Sequence, residues 1–185
     1  PSETFAPPLL PVERDPERYA QRKAEGEYRL NVVLNPRFRL IGFSLVILAI
    51  WLHNRFILGP ATTQLPPFAP VALVIGSYPL WSWAALLAEY RRWPRMAFVF
   101  LYLDVLMMVL AIWATGSERS LLFFLPIFRV IDQAHTSVRR ALFFGHVAIA
   151  GYLLLIGYAA LGEGRTVSWP AELVKSVLLY GAILY

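Results

Sequence analysis

Asp104, Arg129 and His146 are ionisable residues set inside long apolar runs of Leu, Ile, Val, Ala and Phe. A charge in such surroundings is costly unless it meets a partner, so these residues mark where polar chemistry or a polar lock is to be found. Asp104 stands nine residues after Arg95, and Arg129 stands ten residues before Arg139. At about 1.5 Å per helical residue, that puts them about 13 and about 15 Å from the same arginine-bearing side. The two runs are joined only by Gly116-Ser117-Glu118 and should lie antiparallel, with Asp104 and Arg129 forming a buried ion pair. Asp132 lies one turn from Arg129 on the same helix face and can share it. The pair can be a register lock between two helices. It can equally be part of a ligand-sensing, signal-transmitting polar core.

His146 comes six residues after Arg140, or about 9 Å deep, near the expected level of Asp132. A His–Asp contact between helices is open to it, as is haem ligation or titration near neutral pH. An interhelical hydrogen bond is the plainer reading. His53, beside Asn54 and Arg55, fits an interfacial position, and His135 belongs to a polar turn over 133–136. Three histidines on three segments, with no cysteine anywhere, give no metal-ligand spacing. No metal and no resident cofactor is therefore expected, with haem or a quinone as a minor alternative. Gly145, Ala148 and Gly151 are small residues that let helices approach closely, within the bundle or across a homodimer. Gly76, Ser77 and Pro79 could open a helix for a substrate, as in transporters, although no matching second segment accompanies them. There is no nucleophile elbow and no glycine-rich phosphate loop, so this chain alone is not expected to be an enzyme.

The elements that hold these residues follow from composition. Hydrophobic residues make up 58% of the 185 and charged residues only 16%, against about 45–50% and about 25% in soluble domains. A soluble fold of this composition would lack polar surface. The net charge of +5 does not call for nucleic acid, because topology accounts for it. Residues 1–15 read as a disordered or extended tail. Residues 16–35 read as a cytoplasmic juxtamembrane helix, capped by Asp15, begun by Pro16 and stopped by Asn35-Pro36. Residues 36–185 read as six spans at about 40–58, 68–90, 96–115, 120–138, 141–161 and 170–185. Twelve Lys and Arg residues fall on one side of these spans, Arg39 counted among them, and at most four on the other. The positive-inside rule then puts both termini in the cytoplasm. The fold class is all-α: an integral membrane six-helix bundle with short loops. The sixth run has only about 16 residues of the roughly 20 a span needs, and the chain opens on Pro1. A longer parent protein, continuing past Tyr185, is expected.

The stretch Ala114-Thr115-Gly116-Ser117-Glu118-Arg119-Ser120-Leu121-Leu122-Phe123-Phe124-Leu125-Pro126 resembles the outer hairpin of the six-span membrane sensor modules of bacterial histidine kinases. There a Thr-Gly-Gly loop precedes an aromatic run and Leu-Pro; here Ser117 replaces the second glycine. Residues 128–141 are similar to a cytoplasmic corner in sensor regions of bacterial kinases and nucleotide cyclases. The resemblance implies an input module of the bacterial inner membrane, dimeric, whose kinase or cyclase output domain would follow the last span. The competing readings are a non-catalytic accessory subunit of a respiratory or photosynthetic membrane complex and, more weakly, a small transporter. Membrane lipids are partners in all three, and nucleic acid in none.

Overall fold

The computed structural model describes residues 16–59, 65–134 and 137–184, without the side chains of 16, 132–134 and 184. The tail 1–15, the side chain of Asp132, and His135 of the polar turn lie outside the described residues. Every described element is helical: α1 (Pro16–Tyr28), α2 (Asn35–Leu52), α3 (Phe68–Glu89), α4 (Met96–Ala114), α5 (Leu125–Ala134), α6 (Val138–Leu161) and α7 (Trp169–Leu184). Four helices are long and apolar enough to cross a membrane, namely 17–58, 68–89, 96–114 and 138–161. The fourth expected span is shorter than its apolar run. It opens as a 3₁₀ turn over Leu121–Phe124 and becomes α-helical only at Leu125, where Pro126 suits a first helical turn.

Asn35-Pro36 does not stop the first helix, contrary to the sequence expectation. The chain is helical without interruption from Glu17 to Leu58, passing through a π-wound stretch at Arg29–Leu34. Pro36 has no N–H to give the carbonyl four residues back, which is that of Val32. Trp83 of α3 replaces it, donating its indole N–H to Val32 O at 3.0 Å. The His53-Asn54-Arg55 interruption is likewise absorbed, as a second π-wound stretch over His53–Leu58 that ends at Gly59 with φ 74°. Pro79 lies inside α3, which continues through it to Glu89. The broken helix that a transporter site would need is therefore absent from this segment.

α4 is the centre of the bundle, packing on α2, α3, α5 and α6, while α6 also packs on α5 and α7. The buried side of α2 reads Pro36, Arg39, Phe43, Val46 and Ile50. Val32 precedes and His53 follows in the same phase, both buried. Steps of three and four residues along this line form a helical stripe, and the stripe carries Arg39 inward among apolar neighbours. The bundle has two distinct ends. Arg140 lies over the Phe98 ring at one, 4.9 Å from its centroid. Trp113 Nε1 meets Glu163 at the other, at 2.7 Å. We term these the basic end and the Gly116 end.

Candidate functional site

Asp104 is fully buried on α4, on the stripe that also carries Phe100 and Ala111. Three helices converge on its carboxylate. From α2, Arg39 donates through Nε to Oδ1 at 2.6 Å and through Nη2 to Oδ2 at 3.0 Å, a bidentate fork. From α5, Arg129 Nη2 donates to Oδ2. From α3, the Tyr78 hydroxyl lies 2.6 Å from Oδ1 and 2.8 Å from Phe100 O. A hydroxyl has one proton to give; the charged and nearer carboxylate is the stronger acceptor. The Arg39 guanidinium also lies 5.7 Å from the ring centroids of both Tyr78 and Phe100, within cation–π range.

The structure thus brings Asp104 and Arg129 together and adds two residues that the sequence reading did not place there. Arg39 was counted among the flanking cytoplasmic arginines because it directly precedes Leu40. It is instead buried, with 5% exposure. The signal was the phase of Arg39 within the α2 stripe. Tyr78 is uncharged and sits in an apolar run directly before Pro79, so its residue type alone does not mark it.

His146 does not join this core. It is exposed, its Nδ1 lies 2.6 Å from Leu142 O on its own helix, and its ring meets Tyr180 of α7 edge-on. The reason is angular. Phe144, Gly145 and Ala148 set the buried side of α6, and the carbonyl one turn back already occupies Nδ1. Gly145, Ala148 and Gly151 do pack within the bundle. A Cβ on Gly145 would come 2.7 Å from Ile183 Cγ2 of α7, and one on Gly151 would come 3.2 Å from Val109 Cγ2 of α4. Ala148 is buried.

A second polar cluster, near the Gly116 end, was not foreseen. Glu172 of α7 is buried, with 3% exposure. It accepts from the Tyr152 hydroxyl of α6 and from Lys175 Nζ at 2.7 Å. Lys175 also donates to Glu118 O, tying α7 to the loop after α4. Arg165 pairs with Glu163 at 2.6 Å and approaches Glu118 at 3.8 Å. In sequence, Glu172 and Lys175 look like an ordinary i, i+3 pair in a first helical turn. The same end is closed by α2: His53 Nε2 accepts the Leu121 N–H at 3.2 Å, and Asn54 Nδ2 donates to Ala114 O at 3.0 Å. Nε2 is therefore the unprotonated nitrogen of His53, and the neighbouring loop is pinned to the first long helix. That loop turns through two left-handed residues, Gly116 at φ 92° and Ser117 at φ 53°. Ser117 thus holds a conformation that glycine adopts without strain.

Among the described residues, no three His, Asp or Glu side chains gather as metal ligands would. Chemically, the Asp104 site is a charge-assisted hub joining four helices. No protein-family model, curated protein or solved structure matches the chain.

Proposed function

We propose that the chain is a membrane-embedded input module that converts a change among its helices into a displacement passed to a cytoplasmic output. One observation carries the reading: α2, α3, α4 and α5 meet on the buried carboxylate of Asp104, and α2 is continuous with α1, whose last residue Tyr28 packs on Tyr90 and Arg91 at the basic end. A hub of this kind has few stable arrangements. Losing or exchanging one donor moves a whole helix rather than one side chain, because packed interiors switch between discrete states. α1 and α2 form one rod, so a shift at Arg39 is carried along it to the basic end.

The topology we propose with it has six crossings, counting the short α5 segment and α7, with both termini at the cytoplasmic face of a bacterial inner membrane. The arginines of the basic end support that orientation. We further propose a homodimer as the working unit, since such modules pass a helix shift across paired output domains.

The test is a fusion of a kinase or cyclase reporter domain to the chain at the N-terminal side of α1, where the α1–α2 rod would deliver its displacement. Asp104→Asn and Tyr78→Phe are expected to shift reporter output per molecule of protein in the membrane, with abundance measured beside it. Output that merely follows protein level in every variant overturns the reading. It would leave the hub as a register lock between helices.

A further inference from the structure

A groove of about 430 Å³ runs along α2 on the side facing α5, floored by Met108 of α4. α2 packs on α3 and α4, and α5 packs on α4, α6 and α7, so the groove marks the seam between two halves of the bundle. It extends along α2 from Asn35 to Ala49, which at about 1.5 Å per residue is about 21 Å. Long, open on one side and lined mostly by apolar side chains, it suits an extended hydrocarbon chain. The length also exceeds half of a bilayer core about 30 Å thick, which is the reach of a lipid tail in one leaflet.

Gly42 lines the groove midway, and a Cβ added there would meet nothing within 4 Å. A glycine inside a helix weakens it relative to alanine. Gly145 and Gly151 offset that cost by letting neighbouring helices approach; Gly42 has no such partner in this chain. The hollow it leaves opens toward lipid, between the exposed Phe38, Leu45 and Phe128. The basic-end mouth is polar. Asn35 lines it and Arg37 is exposed on the same turn, while Arg39 and Arg129 lie deeper in the groove, held by Asp104.

We infer that this groove is a binding site for an anionic phospholipid, one acyl chain lying over Gly42 and the headgroup at the arginine-bearing mouth. The headgroup choice follows from charge. The mouth opens at the end where Arg91, Arg92, Arg95, Arg139 and Arg140 cluster, and basic residues near a membrane surface attract anionic lipid. The site stands on the groove geometry and holds whether or not the chain transmits a signal.

Native mass spectrometry of the whole chain in detergent tests it, with phosphatidylglycerol and phosphatidylcholine of identical acyl chains added in turn. One phosphatidylglycerol is expected to stay bound at energies that strip phosphatidylcholine. Gly42→Leu starts from a Cβ that meets nothing within 4 Å, adds bulk to the groove, and should weaken that binding at least tenfold with the unfolding midpoint unchanged. Ala49→Leu obstructs the same groove two turns away and takes its place if Gly42→Leu does not fold. Equal retention of the two lipids overturns the inference, as does undiminished binding in a folded groove-filling variant.

Discussion

At the scale of single residues, the energetics turn on Asp104. Its carboxylate neutralises part of the charge of Arg39 and Arg129, while Tyr78 occupies a further lone pair. Burying an ion is tolerated only while its partners remain, and removing one partner of a buried pair typically costs about 3–5 kcal/mol. Asp104→Asn leaves two guanidinium groups facing a neutral amide, so it should lose stability in that range. Tyr78→Phe removes one hydrogen bond to a charged group, worth about 1.5–3 kcal/mol, and leaves the ion pairs in place. Arg39→Leu should cost more than Arg129→Leu. Arg39 makes a bidentate contact from a side chain only 3% exposed, whereas the Arg129 side chain is 16% exposed. Thermal unfolding in detergent, followed by tryptophan fluorescence, gives the order. A Tyr78→Phe loss greater than that of Asp104→Asn would mean that the carboxylate is not the centre of the hub.

At the scale of elements, the sequence was most legible where periodicity and depth could be counted. The boundaries of α3, α4 and α6 fall within a few residues of the apolar runs, because a membrane-length helix needs little beyond apolar length. Asp104 and Arg129 could be paired from their distances to flanking arginines, since a rigid rise per residue converts spacing to depth. Two kinds of information were not local. Pro36 looked like a stop because its neighbours cannot reveal that Trp83, far along the chain, supplies the missing donor to Val32 O. Arg39 looked like a surface charge because hydropathy averages over a window and discards helical phase. The small residues of α6 show how the same type can serve different ends. At Gly145 a methyl group would strike Ile183 Cγ2 at 2.7 Å, on a β-branched side chain with little freedom to turn away. Gly145→Ala should therefore push α7 outward and cost about 1–3 kcal/mol, as overpacking does. Adding Ile183→Ala should recover much of that loss. Gly157→Ala, with nothing within 4 Å, should be neutral or slightly stabilising through helix propensity. A double-mutant cycle on Gly145 and Ile183 with no coupling would place α7 elsewhere.

At the scale of the whole molecule, the two ends of the bundle differ in chemistry, and that difference supports the orientation we propose in a membrane. The α3–α4 turn carries Arg91, Arg92 and Arg95, and the start of α6 carries Arg139 and Arg140. The contact of Arg140 with Phe98 shows that these arginines share one end. The α6–α7 loop lies at the other end, where Glu163 meets Trp113 and Arg165 is neutralised by Glu163 and Glu118. Positive charge there is thus largely compensated by acidic partners, whereas the arginines of the basic end include the exposed Arg91, Arg92 and Arg95. Lys and Arg in short loops are retained on the cytoplasmic side and acidic residues contribute little to that bias, so the greater number of arginines at the basic end supports the orientation we propose. The chain has no cysteine, so single cysteines report position without background. Arg92→Cys and Thr166→Cys each alter an exposed residue, one in each loop. In intact cells a membrane-impermeant maleimide should label Thr166→Cys at once and Arg92→Cys only after the membrane is opened. The reverse pattern would turn the bundle over, putting the free end of α1 and the groove mouth outside. Labelling of both in intact cells would mean that the helices between them do not cross the bilayer an odd number of times. The hub at Asp104 would survive either result as a structural lock, but a route from it along α2 to a cytoplasmic partner would not.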